Sequence, residues 1–277
     1  MSKVFVDEEE QLREWAKKIE IVIDEEIEDL SLEGIIGINF LPESISILSN
    51  LKILNVGYNK INCIPDSIGD LTLLQHFNCC HNNLTNLPDS IGNLTSLSLF
   101  ICDHNEITEL PDSIGNMTSL EMLTCSYNKL TKLPNSIEIL TSIRFLYCHD
   151  NEIARLPDNI GNLTSLTHLH CAYNRLKSLP DSIGNLTSLY LFVCDHNEIT
   201  ELPDSIGNLS LLGHFELQNN KLVSLPNSIC KLSSLWRLNV ANNKLVSLPN
   251  NIYKLSSLRF LNIVNNKASY FVHLCVR

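Results

Sequence analysis

The sequence lacks the features that define several large classes of protein. It contains no apolar run of the roughly 20 residues that span a bilayer, so we expect no membrane insertion. Its first residues do not combine a basic stretch with an apolar run, so no secretory signal is predicted. Its cysteines never show the C-x-x-C spacing of structural zinc sites. These absences favour a cytoplasmic protein without a bound metal or other cofactor.

The net charge is also small outside the first 33 residues. The formal net charge is −11, and residues 1–33 hold 12 of the 31 acidic residues but only 4 of the 20 basic ones. The remaining residues are therefore close to neutral. A near-neutral body gives no electrostatic reason to bind nucleic acid or an anionic membrane surface, so neither is a predicted partner.

What the sequence does contain is a repeat with a period of 23 residues. All ten prolines recur at this spacing from Pro42 to Pro249, and an asparagine recurs at the same spacing from Asn59 to Asn266. Leucines before each asparagine follow the pattern L-x-x-L-x-L-x-x-N, which is typical of leucine-rich repeats. The pattern predicts an α/β fold: a leucine-rich repeat solenoid, or horseshoe, with one curved parallel β-sheet on its concave side and short helical or 3-10 turns on its convex side.

The repeat that begins at Leu166 shows how each unit should be built. Alternation along a strand turns Leu166, Leu169 and Cys171 toward the core. Outward positions are predicted for Thr167, His168, His170, Ala172 and Tyr173. Pro180 should begin the convex segment, in which Asp181-Ser182 caps a short helical turn.

The asparagine of each repeat is predicted to be structural. Its side-chain amide can hydrogen-bond backbone groups that the turn after the strand would leave buried and unpaired. The members of this column in the middle of the array are Asn105, Asn128, Asn151, Asn174, Asn197 and Asn220. We expect replacement of one by alanine to cost about 1–3 kcal/mol of stability.

The cysteine and histidine residues are candidates for a catalytic or metal-binding site. Six of the ten cysteines share one inward repeat position, so we interpret them as small core residues of a reduced protein. Other repeats fill that position with Val56, Leu217, Val240 and Ile263. The tripeptides Cys102-Asp103-His104 and Cys194-Asp195-His196 suggest the alternatives of a metal site or a Cys/His-dependent enzyme. Alternation opposes both, because it points the cysteine inward and the aspartate outward, and we predict no catalytic residue and no metal ligand.

Three segments are predicted along the chain. Residues 1–26 form an acidic N-terminal cap with a helix at about 7–18 and a short strand at 19–23. Residues 27–267 form the leucine-rich repeat domain, in which one degenerate repeat precedes ten strand units. Residues 268–277 form a short C-terminal cap or strand, and the apolar character of this end raises the hypothesis of a homodimer formed through it.

The unit L-P-D-S-I-G-N-L-T-S-L…L…N-x-L, over about residues 42–267, resembles the 23-residue repeats of intracellular leucine-rich repeat proteins. These include the Ras-group adaptors of animals and plants and leucine-rich repeat effectors of intracellular bacteria. The resemblance implies a non-enzymatic module that binds a protein partner on its concave face. It also raises the alternative of a secreted bacterial effector that targets a host signalling or translation protein in the host cytosol. The cysteine column departs from the usual repeat.

The concave face between about residues 144 and 260 is the predicted binding site. Aromatic and arginine side chains, which are enriched at binding hot spots, lie side by side there. The predicted contact residues are Arg144, Phe145, Tyr147, His149, His168, His170, Tyr190, Leu191, Asp195, His214, Glu216, Trp236, Arg237 and Arg259. Because so many are imidazoles, partner affinity is expected to change between about pH 7 and 5.5. A separate charge ladder is predicted along Glu106, Lys129, Glu152, Arg175, Glu198 and Lys221.

Overall fold

The computed structural model describes residues 8–18, which form an α-helix, and residues 26–268, along which short parallel strands alternate with short 3-10 helices. The chain divides into two compact units, Met1–Lys129 and Leu130–Arg277. In the first unit, helix α1 spans Glu8–Lys18 and the strands are β1 (Asp29–Ser31), β2 (Ile53–Asn55), β3 (His76–Asn78), β4 (Leu99–Ile101) and β5 (Met122–Thr124). Its 3-10 helices are η1 (Glu43–Ile47), η2 (Asp66–Asp70), η3 (Asp89–Asn93) and η4 (Asp112–Asn116).

The second unit repeats the same alternation. Its strands are β6 (Phe145–Tyr147), β7 (His168–His170), β8 (Leu191–Val193), β9 (His214–Glu216), β10 (Arg237–Asn239) and β11 (Phe260–Asn262). Its 3-10 helices are η5 (Asn135–Ile139), η6 (Ile160–Asn162), η7 (Asp181–Asn185), η8 (Asp204–Asn208), η9 (Asn227–Lys231) and η10 (Ile252–Lys254).

Within each unit, neighbouring strands pair in parallel and follow chain order. Leu238 of β10 lies opposite Leu261 of β11, so the pairing register equals the 23-residue period of the sequence. In β1, Leu30 lies opposite Leu54 of β2, one residue beyond that period, because the first repeat is longer. The predicted leucine-rich repeat solenoid, with short parallel strands and 3-10 turns, is confirmed.

The core lies between the strands and the 3-10 helices. Leu166, Leu169 and Cys171 are fully buried, as strand alternation predicts. Ile183 and Leu186 approach from the 3-10 side and are fully buried as well. Removing one such aliphatic side chain from water stabilises the fold by about 1.5–3 kcal/mol, so each repeat is held mainly by these contacts with its neighbours.

The asparagine column ties each repeat to the one before it. The Nδ2 group of Asn174 donates to the carbonyls of Cys148 at 3.0 Å, Cys171 at 3.2 Å and Ala172 at 3.0 Å. Its Oδ1 accepts from the backbone N–H of Ile153 at 2.9 Å. Each asparagine follows a residue with a positive φ, which turns the backbone inward at that point. The same pair of roles, donor to carbonyls and acceptor from the preceding repeat, recurs at Asn105, Asn128, Asn151, Asn197 and Asn220.

The predicted cap of the convex turn is wrong. Helix η7 begins at Asp181, its cap residue is Pro180, and no side-chain cap hydrogen bond forms. A proline side chain offers no acceptor, and Asp181 already lies inside the helix. Ser182 instead donates to the carbonyl of Asp158 at 2.6 Å and accepts from the N–H of Gly161 at 3.3 Å. The serine therefore joins two successive repeats rather than capping its own helix.

Helix α1 buries Leu12, Trp15 and Ala16, and it packs beside η1. Its last turn carries Lys17 and Lys18, which suit the negative end of a helix dipole. The short strand predicted at 19–23 and all of the C-terminal segment after residue 268 lie outside the described residues. Those assignments, and the homodimer that depends on the second, stay predictions.

Candidate functional site

The second unit presents the outward side of its strands as one surface. We call it the second-unit strand face and define it as the first and third residues of β6–β11 together with the residue that precedes each strand. Every predicted contact residue lies on this face except His149 and Asp195, which are two residues beyond the ends of β6 and β8. Strand pairing brings the others together, because like positions of adjacent parallel strands are neighbours.

A series of rings crosses the first strands of this face. The ring centroids of Phe145 and His168 are 4.9 Å apart, and those of His168 and Tyr190 are 6.3 Å apart. The guanidinium of Arg144 lies 5.6 Å from the centre of the Phe145 ring, within cation–π range. Partial burial and the charge of Arg144 lower the pKa of His168 below its ordinary value. The ring surface is therefore predominantly neutral, with an exposed arginine at its edge.

An aromatic bridge, formed by Tyr190, Gly213 and Trp236, lies at the centre of the face. The Nε1–H of Trp236 donates to the hydroxyl of Tyr190 at 3.3 Å, over Gly213, which is the residue before β9. A Cβ atom on Gly213 would lie 2.6 Å from Cε2 of Tyr190 and 3.0 Å from Nε1 of Trp236. The glycine thus lets the two rings meet, although Tyr190 and Trp236 remain 48% and 37% exposed.

Gly213 is a functional candidate that the sequence analysis missed. The sequence did contain an indication of its role. The repeat position that precedes each strand of the second unit has a glycine only at Gly213, and elsewhere it holds Arg144, Thr167, Tyr190, Trp236 and Arg259. A gap between two large aromatic residues in such a column allows them to meet over it.

An arginine clamp, formed by Glu216, Arg237 and Phe260, lies beside the bridge. The Nε–H of Arg237 donates to Oε1 of Glu216 at 2.6 Å, and its guanidinium lies 4.1 Å from the centre of the Phe260 ring. A hydrogen bond also joins His214 to the same carboxylate oxygen. Burial favours a higher pKa for Glu216, but hydrogen bonds from Arg237, His214 and Asn239 outweigh it and lower the pKa. Arg237 is therefore fixed by an ionised partner, and within the described chain its terminal amino groups make no hydrogen bond.

A histidine pair lies near the β6–β7 end of the face. The rings of His149 and His170 stack with centroids 4.1 Å apart, and Nδ1 of His149 is 2.9 Å from Oδ2 of Asp150. Burial, with a smaller contribution from His149, lowers the pKa of His170 to about 4. His170 therefore stays neutral between about pH 7 and 5.5, and the predicted pH dependence of binding cannot come from this residue.

Three residues predicted to face solvent are buried instead. Ala172 is fully buried, and Asp195 and Glu216 are 5% and 7% exposed. Period-two alternation holds through the residue that follows each strand, such as Cys171 or Cys194, and fails after it. Beyond β7 and β8 the chain turns inward, so Ala172 and Asp195 lie under their neighbours, whereas Glu216 is covered by its own polar partners. Asp195 and Glu216 therefore act by positioning other side chains.

The two identical Cys-Asp-His tripeptides have different surroundings. Asp103 accepts hydrogen bonds from the Thr124 hydroxyl at 2.5 Å and the Ser126 N–H at 2.6 Å. Asp195 instead lies 2.6 Å from Nδ1 of His196, whose Nε2 is 2.9 Å from the Asn219 amide. Asp195 and His196 therefore contact each other, whereas Cys194 is buried in the core as predicted. The following repeat differs: Thr124 supplies a hydroxyl to Asp103, whereas the corresponding residue after Asp195 is Glu216.

The cysteines of both tripeptides are inward, as predicted. Cys102 and Cys194 are fully buried, and desolvation by burial raises the pKa of each thiol well above its ordinary value. A thiolate, rather than a thiol, is the nucleophile and the metal ligand. Within residues 8–18 and 26–268, no three His, Cys, Asp or Glu side chains are arranged to hold a metal ion.

The predicted charge ladder is present within each unit. Lys129 pairs with Glu106 at 3.0 Å in the first unit. In the second, Arg175 pairs with Glu152 at 2.9 Å and Lys221 with Glu198 at 2.7 Å. All of these charges are solvent-accessible, so water screens each pair and its contribution to stability is small.

A second ring ladder, in the first unit, was not predicted. Tyr58, His81, His104 and Tyr127 stack in sequence with centroid distances of 4.2, 4.0 and 4.1 Å. Each occupies the left-handed backbone position before the asparagine. The sequence pattern that could have predicted this ladder is the aromatic residue at that position in four successive repeats.

Sequence comparison assigns the family. A family model described as a leucine-rich repeat region matches residues 30–129 and 190–275, well over half of the chain. The chain is a leucine-rich repeat protein. A second model, described as a leucine-rich repeat, matches residues 165–186. A comparison with curated proteins gave no match.

This leucine-rich repeat protein is similar to several solved bacterial structures. A leucine-rich repeat protein of Leptospira interrogans is 28% identical over 84% of this chain and 77% of its own, with a TM-score of 0.55. YopM, a leucine-rich effector protein from Yersinia pestis, is 29% identical over 86% and 61%, with a TM-score of 0.70. The functional domain of InlJ from Listeria monocytogenes, which includes a cysteine ladder, is 26% identical over 87% and 49%, with a TM-score of 0.74. This chain thus spans less than two thirds of both YopM and the InlJ domain.

Leucine-rich repeat solenoids are typically non-enzymatic modules for protein–protein interaction, with extended strand surfaces as the contact area. None of the helices in the described part of the chain has the length and apolar character needed to cross a membrane.

Proposed function

We propose that this leucine-rich repeat protein is a non-enzymatic interaction module that binds a protein partner on its second-unit strand face. The observation that carries the proposal is the aromatic bridge beside the arginine clamp. Tyrosine, tryptophan and arginine are the side chains most enriched at interface hot spots. Here Tyr190 and Trp236 hold each other and Arg237 is held by its own partners, while all three stay accessible to a partner protein.

Two central side chains of this face, Trp236 and Arg237, are held in place before any partner arrives. Trp236 is held by Tyr190, and Arg237 is held by Glu216 and Phe260. Immobilising a flexible side chain during association costs roughly 0.5–1.5 kcal/mol. A face that has already lost this freedom retains more of its contact energy as affinity.

The test compares partner capture by the wild-type chain with capture by Trp236→Ala and Tyr147→Ala. Affinity capture with quantitative mass spectrometry should show the same protein depleted in both variants. Tyr253→Ala is the matched control, because Tyr253 is 74% exposed and lies on η10, away from the strand face. Unfolding curves establish that all three variants are folded. Partner capture unchanged by Trp236→Ala and Tyr147→Ala would remove this face from consideration.

A more specific role is that of a bacterial effector acting on a host signalling or translation protein. YopM, which is described as an effector, supports this candidate through its similarity of repeat and fold. A secretion assay in the source organism, followed by detection in the host cytosol, tests it. Retention inside the producing cell would leave an interaction module with a cytoplasmic partner.

Self-association is a separate proposal that rests on the sequence of the C-terminal end. Size-exclusion chromatography with light scattering would show a dimer mass for the wild type and a monomer mass for Phe271→Asp. A monomer mass for both proteins excludes the homodimer.

A further inference from the structure

The second-unit strand face differs in charge from the corresponding face of the first unit. Among strand-face positions of the second unit, the basic residues are Arg144, Arg237 and Arg259, and the only acid is the buried Glu216. At the same repeat positions of the first unit, the acids are Glu28, Asp29 and Glu121, and the only base, Lys52, pairs with Glu28 at 2.8 Å. A chain with net charge −11 thus places a locally basic, aromatic surface on its second unit.

The arginines of this surface are available to an anionic ligand. Arg144 and Arg259 are exposed, and neither forms an ion pair with any described residue. Arg237 uses only Nε to bind Glu216, which leaves its two terminal amino groups. A planar guanidinium held in this way can donate two parallel hydrogen bonds to one carboxylate.

The spacing of these groups indicates the shape of the ligand. Arg144 and Arg259 precede β6 and β11, which are five strand positions apart. At about 4.8 Å between strands this is on the order of 24 Å. An extended peptide advances about 3.3 Å per residue, so roughly seven residues cover the distance. The aromatic bridge lies between the two arginines and would contact the middle of such a peptide.

We propose that the second-unit strand face binds an extended acidic segment of a partner protein. The segment carries Asp or Glu residues about seven positions apart, one near Arg144 and one near Arg237 and Arg259, with apolar side chains between them on the aromatic bridge. This inference rests on the proposed function, because it specifies the partner for the same face.

The test uses a phage-displayed library of random peptides of about 12 residues, selected on the full-length chain. The expected result is enrichment of peptides with two acidic residues at about the predicted spacing and aliphatic or aromatic residues between them. A labelled synthetic copy of an enriched peptide is then titrated by fluorescence polarisation. Affinity should fall about tenfold or more for Arg144→Glu and for Arg259→Glu, and it should weaken as salt is raised.

Arg155→Glu is the matched control, because it makes the same change in net charge at an exposed position of the second unit outside the strand face. It should change the affinity less than twofold, roughly the effect of a distant screened charge. A version of the peptide with lysine in place of its acidic residues should not bind. Thermal unfolding of the three variants checks that the exposed substitutions preserve the fold.

The other outcomes separate this inference from the proposed function. Enriched peptides that are neutral or basic, but whose binding is lost in Trp236→Ala, would overturn the acidic ligand and leave protein binding intact. If the selection yields no peptide whose binding depends on Trp236 or Tyr190, the result contradicts both the acidic ligand and the proposed binding face. Tight binding of a labelled oligothymidylate that is lost in Arg144→Glu and Arg259→Glu would assign the basic surface to nucleic acid instead.

Discussion

At the scale of single residues, the asparagine column is the most sensitive part of the scaffold. Asn174 satisfies three carbonyls and one N–H, all of them near the point where the backbone turns into the core. Water cannot replace the side chain freely, because Asn174 is only 8% exposed. A buried group left without its partner costs about 1–3 kcal/mol.

Asn174→Ala is therefore expected to lower the free energy of unfolding by about 1–3 kcal/mol, measured by urea denaturation. The matched control is Asn208→Ala, which removes the same amide from an exposed position at the end of η8. The control should change stability by less than about 0.5 kcal/mol. Equal effects of the two substitutions would contradict the structural role of the column.

His170 provides a second prediction, concerning pH. Its pKa is lowered from its ordinary value of 6.5 to about 4 in the folded chain, mainly by burial. Between these two values the unfolded chain binds a proton that the folded chain does not, so stability is fully present above about pH 6.5 and declines as the pH falls toward 4.

The test is the urea midpoint at a series of pH values for the wild type and His170→Gln. The variant should show a shallower loss of stability between about pH 6.5 and 4, because glutamine does not titrate. His76→Gln, which removes an exposed imidazole from β3, is the control. Parallel pH profiles for wild type and His170→Gln would show that burial of His170 does not link stability to pH.

Residue-level prediction from the sequence succeeded where period-two alternation applies and failed just beyond it. The buried Cys171 and Cys194 were predicted because they lie in a strand-like pattern with leucine. The burial of Asp195 was not, because it depends on how sharply the chain turns after β8. The bond between Asp195 and His196 also depends on Asn219 of the next repeat, which the tripeptide itself does not reveal.

At the scale of the elements, close contact between successive 3-10 helices governs the convex side. Gly184 in η7 approaches η8 so closely that a Cβ atom would lie 2.3 Å from the carbonyl oxygen of Ser205. Real Cβ atoms do not approach backbone oxygen at that distance. The glycine column is therefore a packing requirement between repeats, as well as part of the repeat consensus.

Gly184→Ala is expected to reduce stability by about 1–3 kcal/mol, because the methyl group meets backbone that cannot move without disturbing η8. Cys230→Ala is the matched control at the same repeat position, where a side chain is already accommodated. Chemical denaturation should show a clearly smaller change for the control. A Gly184→Ala variant as stable as the wild type would contradict this prediction, because the contact between η7 and η8 would then widen at little cost in free energy.

The repeats that lack this glycine show how the elements adjust. Ser46, Glu138, Cys230 and Tyr253 occupy its position. The 3-10 helices that follow Glu138 and Cys230, η6 and η10, are three residues long, whereas η2, which follows Ser46, keeps five residues. The two shorter helices begin after Asn159 and Asn251, which stand where most repeats have serine. The sequence predicted a turn in every repeat, and the two shorter turns are the ones whose own repeat has asparagine in place of that serine.

At the scale of the whole molecule, the 23-residue repeat period was a better guide to the structure than the amino-acid composition was. The near-neutral average of the residues after 33 concealed the basic strand face of the second unit, where Arg144, Arg237 and Arg259 outnumber the buried Glu216. The fold follows from the spacing of asparagine, proline and leucine alone. The candidate site does not, because it depends on which side chains meet across strands, as Tyr190 and Trp236 do over Gly213.

A chain built from repeats that contact only their neighbours should lose structure locally when one repeat is damaged. Asn82 donates to the carbonyls of Val56 and Cys79 and accepts from the N–H of Ile61, so its loss affects the repeats around β2 and β3. In Asn82→Ala, hydrogen exchange followed by mass spectrometry should show reduced protection near those strands. Strands β9–β11 should keep wild-type protection, and a Trp236-dependent partner should bind with unchanged affinity.

The matched variant is Asn220→Ala, which removes the corresponding bonds to the carbonyls of Cys194 and Leu217 in the second unit. It should reduce protection around β8 and β9 and weaken binding, because the aromatic bridge spans these strands. Reciprocal patterns in the two variants would place the binding face in the second unit without touching any contact residue. A uniform loss of protection along the chain in both would mean that the repeats unfold as one cooperative body, which nearest-neighbour stacking does not predict.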